Sequence, residues 1–534
     1  MKKLSVLALV AALLTAACQD ATIVYSDVNV IPSNTLYVTL EWPTGAPEED
    51  DGDPDWNTSC SNPGAEVGGE DVAGSLAGVI TERAYEMGEM GFGVIHLCAG
   101  TYETEDIIEF PNLGSITIEG DGIDETIITG ADGDDHALLA MVPADCLPAD
   151  EPCPSYFNVL TLKDLTLTNG SGGDEVFELD IDGDDEDDGL YDDDGIPVLA
   201  GGAVTAPLVA TERVRFSNNS APCGGAVALY GWTQLISDGE FAEIDEEDAL
   251  AAAEYFSSLI LSRSSQITDT EFIENSAAIG GAIGGVPVSV IGGGAEIYTC
   301  LNAGPLSIVN STFEGNQAIM SAELPLGIGG GTIATANLSF LEADLGDPDA
   351  VDEEWLEIFS RDVWLNIANS TFTDNDSVNA GGAVLSYGKT AISRTTFTNN
   401  GLTGVDSTGG AILVGGELSL SYSKFVGNSA SSGGAVALID AFGGGHVFTR
   451  NTFTSNVATD QGGAIAGWTD AGSARGNRFT SNRAPLGSAV AVETETCSRT
   501  WSRRAARDWR GNTFRSNRGG RLPVECYVAA PAPS

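Results

Sequence analysis

Short apolar segments alternate with polar, glycine-rich turns through most of the chain. The segment N-T-F-T-S-N at residues 451–456 places apolar and polar side chains in alternation, which is typical of a strand with one buried face. Gly-Gly-Ala followed by Val or Ile then opens a second short apolar strand. The pattern predicts many short strands joined by tight turns.

These strands belong to an internal repeat. The motif Phe-x-x-Asn recurs along the chain, usually with Gly-Gly-Ala a few residues later. Successive steps from Phe372 to Phe479 are 25, 28, 28 and 26 residues, whereas the earlier steps of 56, 41 and 59 contain either two units or one unit with an insertion. The motif phenylalanines are Phe216, Phe272, Phe313, Phe372, Phe397, Phe425, Phe453, Phe479 and Phe514. The motif asparagines are Asn219, Asn275, Asn316, Asn375, Asn400, Asn428, Asn456, Asn482 and Asn517.

A unit of this length fits one coil of a parallel β-helix better than a leucine-rich repeat or a propeller blade. Coils stacked about 4.8 Å apart place equivalent residues above one another. We therefore expect an interior phenylalanine stack, an asparagine ladder in a turn, and paired glycines that supply positive φ at a corner. The fold class predicted is an all-β, single-stranded parallel β-helix of about fourteen coils.

The beginning of the solenoid shows a predicted cap. Ser75 to Met87 has apolar residues on one helical face, with Ser75 as N-cap and Gly88 as stop. The strands that follow, V-I-H-L-C-A-G-T-Y from Val94 and I-T-I-E-G-D-G from Ile116, resemble the first coils of pectin-lyase-like β-helix proteins. That resemblance implies a right-handed helix, in a fold that hosts lyases, esterases, hydrolases and non-enzymes.

The joint presence of Phe-x-x-Asn and Gly-Gly-Ala-(Ile/Leu/Val) resembles the repeats of chlamydial-type polymorphic outer-membrane proteins over roughly residues 200–520. The resemblance implies a secreted, surface-displayed β-helix associated with adhesion. Those proteins usually end in a membrane β-barrel, whereas this sequence ends in V-A-A-P-A-P-S. A lipid on Cys18 would then be the anchor.

The first residues have the layout of a secretory signal. Lys2 and Lys3 precede an apolar stretch from Leu4 to Leu14, and small residues lead into Cys18. The run L-T-A-A-C resembles a bacterial lipobox and implies lipidation of Cys18, although Thr15 replaces the usual Leu; ordinary cleavage after Ala17 is the alternative. We expect an exported outer-membrane lipoprotein, at the cell surface or the periplasmic face, with the lipid as its membrane attachment.

The sequence predicts five parts. A signal peptide at 1–17 is followed by an acidic linker region at 18–72 and a capping helix at 73–91. The parallel β-helix then occupies 92–496, with acidic insertions near 174–195, 238–254 and 341–354, and a last coil with an Arg-rich cap occupies 497–534.

Cysteine usage supports export. Without Cys18, eight cysteines remain, which suggests four disulfides. The preferred pairs are Cys60–Cys98, Cys146–Cys153 and Cys497–Cys526, and the sequence does not fix the connectivity of the eight. A zinc site is disfavoured because no Cys-x-x-Cys motif occurs and only three histidines are available as imidazole ligands. The disulfide candidates are Cys60, Cys98, Cys146, Cys153, Cys223, Cys300, Cys497 and Cys526.

Charge narrows the choice of partners. The chain has 23 Lys and Arg against 78 Asp and Glu, a formal net charge of −55, so nucleic acid and anionic membranes are poor partners for most of its surface. Residues 475–534 reverse this balance, with eleven Arg and four acidic residues. This end is either a cap pinned to the acidic body or a docking patch for an anionic glycan.

The acidic insertions carry the candidate chemistry. Asp184, Glu186 and Asp188 approach calcium-loop spacing, but Gly195 stands where the bidentate Glu belongs, so a solvated loop is the alternative to bound Ca²⁺. Asp121 and Asp124 are expected to form a turn, and His96 is expected to be structural. No Lys or Arg stands out beside a compact Asp cluster, so no catalytic residue is assigned.

We therefore expect a surface or envelope protein with an adhesive, interacting or structural role and without catalysis. A glycan or a surface protein is the expected partner, and the oligomeric state is left open. A polysaccharide-active lyase or hydrolase on the pectin-lyase-like fold is the alternative function.

Overall fold

A computed structural model describes residues 35–39, 59–61, 65–66, 76, 78, 80, 92–104, 107–111, 114–131, 136–142, 158–172, 177–179, 201–230, 264–285, 288–292, 295–300, 302, 304–319, 330–336, 364–405, 407–439, 445–468, 472–493, 509 and 511–527. Within these ranges, the named elements are strands in three long parallel sheets of 23, 12 and 9 strands and one small three-stranded sheet. We call the long sheets I, II and III.

Sheet I consists of the strands Thr35–Thr39, Ala65–Glu66, Phe92–Leu97, Gly100–Thr104, Ser115–Gly120, Thr126–Gly130, Val159–Thr168, Leu208–Ser217, Ser265–Thr268, Glu271–Ile273, Leu306–Val309, Thr312–Glu314, Leu365–Ala368, Thr371–Thr373, Thr390–Ser393, Thr396–Thr398, Leu418–Ser421, Lys424–Val426, Val447–Thr449, Thr452–Thr454, Ser473–Arg475, Arg478–Thr480 and Thr513–Arg515.

Sheet II consists of Ile108–Pro111, Leu139–Val142, Val204–Ala206, Val227–Leu229, Ile283–Gly285, Ile333–Ala336, Val384–Tyr387, Ile412–Val414, Val436–Leu438, Ile465–Trp468, Val490–Glu493 and Val524–Tyr527. Sheet III consists of Ser220–Cys223, Ser276–Ile279, Gln317–Ala318, Asp376–Ser377, Gly401–Leu402, Ser429–Ser432, Val457–Gln461, Arg483–Ala484 and Arg518–Gly519. The small sheet contains Phe177–Leu179, Val288–Gly292 and Ala295–Thr299.

Each coil adds strands to the same sheets as the coil before it. A typical coil contributes two strands to sheet I, one to sheet III and one to sheet II, each paired in parallel with its counterpart one coil away. This is the architecture of a parallel β-helix, and it confirms the predicted fold class. Inward-facing Leu, Ile, Val and Phe side chains form a continuous core along the axis.

The two sheet I strands of a coil meet at a corner. At this position one residue has a left-handed backbone conformation, with φ between 50° and 59°. Residues other than glycine adopt this conformation at an energetic cost. Equivalent positions stack along the axis and form what we call the corner column. Its members are Asp164, Arg213, Asp269, Asn310, Asn369, Arg394, Tyr422 and Arg450.

The motif phenylalanines form one interior stack on the second strands of sheet I. Successive rings from Phe216 to Phe514 lie 4.6–4.9 Å apart between centroids, with near-parallel planes. Phe216 pairs directly with Phe272, and Phe313 pairs directly with Phe372. The long sequence steps of 56 and 59 residues are therefore single coils with insertions.

The motif asparagines form a ladder at the turn into sheet III. In Asn428, Oδ1 accepts the backbone N–H of Asn400 at 2.9 Å and the Nδ2 of Asn400 at 3.0 Å. Its own Nδ2 donates to Oδ1 of Asn456 at 2.9 Å and to the carbonyl of Phe397 at 3.1 Å. Each amide thus joins three coils, because Phe397 lies in the coil on one side and Asn456 in the coil on the other.

The same side-chain bond links each motif asparagine to the next one along the axis. Eight such bonds of 2.9–3.1 Å connect Asn219, Asn275, Asn316, Asn375, Asn400, Asn428, Asn456, Asn482 and Asn517 in that order. The members from Asn219 to Asn482 are fully buried. Asn517 lies in the last described coil and differs from the others, because its side chain is only partly buried.

The two glycines of Gly-Gly-Ala have different physical roles. Gly433 has φ +64°, whereas Gly434 lies outside the left-handed region. A Cβ on Gly434 would lie 2.5 Å from the carbonyl oxygen of Gly463 in the next coil. The expectation of positive φ therefore holds for the first glycine, while the second is required by the close approach of neighbouring coils.

The N-terminal cap and the disulfides are described in part. Leu76, Gly78 and Ile80 are helical, and Leu76 and Ile80 are buried in the core cluster. The predicted pair Cys60–Cys98 is present, and so is Cys223–Cys300, which the sequence leaves open. Cys526 is also disulfide-bonded. Cys18, Cys146, Cys153 and Cys497 lie outside the described residues.

Long stretches of sequence separate sheet II from the following strand of sheet I. Leu229 precedes Ser265, Gly285 precedes Leu306, and Ala336 precedes Leu365. In the coil that follows such a stretch, the motif phenylalanine again pairs with the motif phenylalanine of the coil before it. In the described parts of the chain, no helix has the length and apolarity that crossing a membrane requires.

Candidate functional site

A histidine lies between two carboxylates on the outer face of sheet I. His96 occupies the strand Phe92–Leu97, and its register partner in the next coil is Glu119. Nδ1 of His96 lies 3.1 Å from Oε1 of Glu119, and Nε2 lies 3.1 Å from Oδ1 of Asp121. Asp121 follows the strand of Glu119 directly, so strand register and turn together bring the two acids to one imidazole.

Backbone and aromatic contacts hold this cluster in place. The second carboxylate oxygen of Asp121 accepts the backbone N–H of Ala99 at 2.7 Å. The ring of Tyr37, in the preceding coil, lies 5.1 Å from the imidazole between centroids. The disulfide Cys60–Cys98 ties down the residue next to Ala99. The imidazole is therefore fixed before any ligand binds.

The two carboxylates favour the protonated imidazole. Hydrogen bonding to Glu119 is the main cause that raises the pKa of His96, and Asp121 acts in the same direction against the opposing effect of partial burial. An imidazolium donates from both ring nitrogens, which matches the presence of one carboxylate at each. In its protonated form, His96 donates one hydrogen bond to each of the two acids.

A lysine and a further acid continue the same face along the axis. The register column that contains Tyr37, His96 and Glu119 continues through Lys163 and Glu212 in the next two coils. Beyond His96, the column therefore has one lysine between two acids, one residue per coil.

An arginine of the corner column lies beside this register column. Arg213 makes a bidentate pair with Asp164, at 2.6 Å from Nε and 2.7 Å from Nη2, and also contacts Glu212. The Arg213 guanidinium lowers the pKa of the Asp164 carboxyl. Both partners are partly solvent-exposed, so the pair contributes more to orientation than to stability.

A second arginine joins three coils. Arg215 donates through Nε to Glu271 at 2.7 Å and through Nη1 to Asp124 at 2.7 Å. Asp124, which the sequence places in a turn, therefore also takes part in an ion pair. The pairing was not visible in sequence because its members lie 56 and 91 residues apart.

The motif residues of the repeat have interior, structural positions and do not belong to this cluster. The phenylalanines stack inside sheet I, and the asparagines bond to one another and to backbone groups. Asn219, Asn275, Asn316, Asn375, Asn400, Asn428, Asn456 and Asn482 are buried, so they are not available to a ligand, and Asn517 extends the same ladder.

The remaining predicted metal ligands lie outside the described residues. These are Asp184, Glu186 and Asp188, the candidate calcium loop. Within the described ranges, the residues whose possible metal-ligand atoms lie within 4.8 Å of one another are Cys60, His96 and Asp121. Because the Cys60 sulfur is bonded to Cys98, it cannot act as a thiolate ligand.

Comparisons with known proteins agree with the architecture. Residues 358–522 match the family model described as the right-handed β-helix region. No curated protein matches the chain. The fold is thus a right-handed parallel β-helix.

Solved structures of the same architecture also match. The mannuronan C-5 epimerase AlgE4 A-module of Azotobacter vinelandii is 13% identical, over 85% of this chain and 94% of that one, with a TM-score of 0.26. A mannuronic acid specific polysaccharide family 6 lyase from human gut microbiota is 11% identical, over 84% and 90%, with a TM-score of 0.29. The Agl-KA catalytic domain is 10% identical, over 84% and 64%, with a TM-score of 0.28.

The functional expectation has no support among these matches. They include a mannuronan epimerase and a polysaccharide lyase, so the expectation of an adhesive or structural protein without catalysis has no counterpart among them. At such low identity they show the fold alone.

Proposed function

We propose that the protein is a polysaccharide-active enzyme of the lyase type, with its active site at His96, Glu119 and Asp121. The observation that carries the proposal is the imidazole held between two carboxylates on a solvent-facing sheet, with each ring nitrogen 3.1 Å from a carboxylate oxygen. This contact supplies a proton donor and a proton acceptor at one place.

The arrangement of the cluster fits elimination better than hydrolysis. Glycoside hydrolysis by two carboxylates requires one of them to be protonated as the general acid. Here an imidazole with a raised pKa lies between the two acids, so His96 itself is the available donor. In an elimination, a carboxylate takes the proton beside the carboxyl group of an acidic sugar, and His96 protonates the departing glycosidic oxygen.

A basic residue supports an acidic substrate. Lys163 follows Glu119 in the same register column, one coil away. Positive charge at this distance along the face would neutralise the carboxylate of a bound uronic acid and make the neighbouring proton more acidic.

The test is incubation of the purified protein with acidic polysaccharides while the ultraviolet absorbance of the new carbon–carbon double bond is recorded. We expect turnover in the wild type and its loss in His96→Gln and Glu119→Gln, with Glu314→Gln on a distant coil as the matched control. New reducing ends without unsaturation would replace the lyase by a hydrolase. No product from any acidic polysaccharide would refute the proposal.

We also propose export as a lipoprotein through Cys18, with polymorphic-type repeats forming the exported domain. The disulfides Cys60–Cys98 and Cys223–Cys300 support an oxidising compartment. Metabolic labelling with a radioactive fatty acid is expected to label the wild type and not Cys18→Ala. If neither protein is labelled, the lipid anchor is contradicted.

A further inference from the structure

The exposed face of sheet I changes its charge along the helix axis. In the N-terminal half, the corner column and the positions near it carry the acids Asp164, Asp269, Glu271 and Glu314, and the cations Arg213 and Arg215 there are ion-paired with acids. In the C-terminal half, the corner column contains Arg394, Tyr422 and Arg450. The reversal occurs on one continuous sheet of a chain whose net charge is −55.

Tyr422 lies between the two arginines of this half. The guanidinium carbon of Arg450 lies 5.5 Å from the tyrosine ring centroid, and that of Arg394 lies 5.9 Å from it on the neighbouring coil. Nη1 of Arg450 donates to the phenolic oxygen of Tyr422 at 2.8 Å. Tyr422 is nevertheless 49% exposed, so part of its ring faces solvent between two cations.

Three further exposed cations flank this group, namely Lys424, Arg475 and Arg478. We call these six residues, Arg394, Tyr422, Lys424, Arg450, Arg475 and Arg478, the basic strip. Within the described residues, none of its cations is ion-paired. This differs from Arg213 and Arg215, whose guanidinium groups are occupied by carboxylates.

Most strand positions around the basic strip carry hydroxyl groups, and none of those listed here carries a carboxylate. From Thr390 to Arg515, the outward-facing residues of the sheet I strands are Ala391, Ser393, Thr396, Thr398, Ser419, Ser421, Lys424, Val426, Val447, Thr449, Thr452, Thr454, Ser473, Arg475, Arg478, Thr480, Thr513 and Arg515. Unpaired cations on such a surface gain most from an anionic partner.

We propose that the basic strip binds a linear anionic polysaccharide. A sugar ring packs against the exposed part of Tyr422, and its carboxylate or sulfate groups pair with Arg394 and Arg450 on neighbouring coils. Lys424, Arg475 and Arg478 extend the contact across further coils, and Ser and Thr hydroxyls meet sugar hydroxyls. The strip lies many coils from His96, so it is a second binding site; its ligand class is that of the substrate under the proposed function.

The strip favours a polysaccharide over nucleic acid. Single-stranded nucleic acid binding uses successive aromatic side chains on which bases stack, whereas the basic strip has one aromatic ring among hydroxyls. A phosphate backbone with one charge per nucleotide would also meet the acidic half of the same sheet. A glycan whose charges are separated by neutral hydroxyl groups fits the alternation of cations with Ser and Thr.

The test is titration calorimetry of the full chain with polygalacturonate, chondroitin sulfate, neutral dextran and single-stranded DNA at two salt concentrations. The strip variant combines Tyr422→Ala with Arg394→Gln and Arg450→Gln. The matched control, Arg483→Gln with Arg518→Gln, removes two exposed cations that pair in register on sheet III. Thermal melting of each variant checks that it is folded.

We expect one or both acidic glycans to bind the wild type, with affinity that falls as salt rises, and to bind the strip variant about tenfold or more weakly. The sheet III variant is expected to change affinity less than about threefold. Equal losses in both variants, tighter binding of DNA than of either glycan, or no binding of any glycan would overturn the proposal.

The same titration separates this site from the proposed active site. His96→Gln is expected to keep the wild-type affinity while it loses turnover. If the wild type binds through the strip but shows no turnover, the proposed function fails and the strip remains. If the strip variant keeps both wild-type turnover and wild-type affinity, the basic strip is not a binding site, and the proposed function stands.

Discussion

Asn428→Ala should destabilise the middle of the solenoid strongly. Asn428 is fully buried, and its Oδ1 accepts from both the backbone N–H and the side-chain Nδ2 of Asn400. Alanine removes this acceptor and leaves two donors of Asn400 without a partner in a place that water does not reach. Each unsatisfied buried donor costs about 1–3 kcal/mol, so we expect a loss of about 2–6 kcal/mol. The Phe397 carbonyl also loses a donor, which adds to the loss.

The loss is best measured locally, because long repeat arrays do not unfold as a single two-state unit. Native-state hydrogen exchange would follow the backbone amide of Asn400, with urea denaturation as the global measure. Ser429→Ala, at the adjacent exposed position, is the matched control and should change stability by less than about 0.5 kcal/mol. If Asn428→Ala and Ser429→Ala have the same effect, the asparagine ladder does not stabilise the contact between coils.

Three further predictions concern the core, a turn and the histidine. Phe453→Ala removes a fully buried ring from the interior stack and should cost about 3–5 kcal/mol in urea denaturation, whereas Thr454→Ala on the same strand should cost less than about 0.5 kcal/mol; equal midpoints would place Phe453 outside the core. Gly433→Ala places a Cβ against the carbonyl oxygen of Val436 at φ +64° and should lower the melting temperature far more than Gly511→Ala, where φ is +88° and the space is open. Because the folded-state pKa of His96 is raised above its ordinary value of 6.5, its stabilising contribution is complete below about pH 6.5 and is lost as pH rises through the raised value. The difference in unfolding free energy between the wild type and His96→Gln should therefore decrease as pH rises through this range. A difference independent of pH would show that the imidazolium does not stabilise the fold.

The repeat motif predicted most of the scaffold because each Phe-x-x-Asn unit has the same local environment in every coil. The alternation around Phe453 identifies the buried face from six residues, and the period then identifies the coil. The candidate site could not be found in this way. His96, Glu119 and Asp121 belong to early coils that lack the motif, and their contact depends on a strand register across 23 residues.

The role of the paired glycines was predicted in part for a related reason. Positive φ at Gly433 is a local property that composition suggests. The tight approach of Gly434 to Gly463 is set by the stacking of one coil on the next, which no single segment encodes.

The position of the long sequence stretches between sheets II and I has a consequence for how such a chain can diversify. Since the stack and ladder restore the register within every coil, segments of different length at that one corner leave the scaffold unchanged. Insertions can therefore lengthen or shorten at this edge while the Phe-x-x-Asn units keep their positions. The length of a coil and the register of its strands are thus free to change independently of each other.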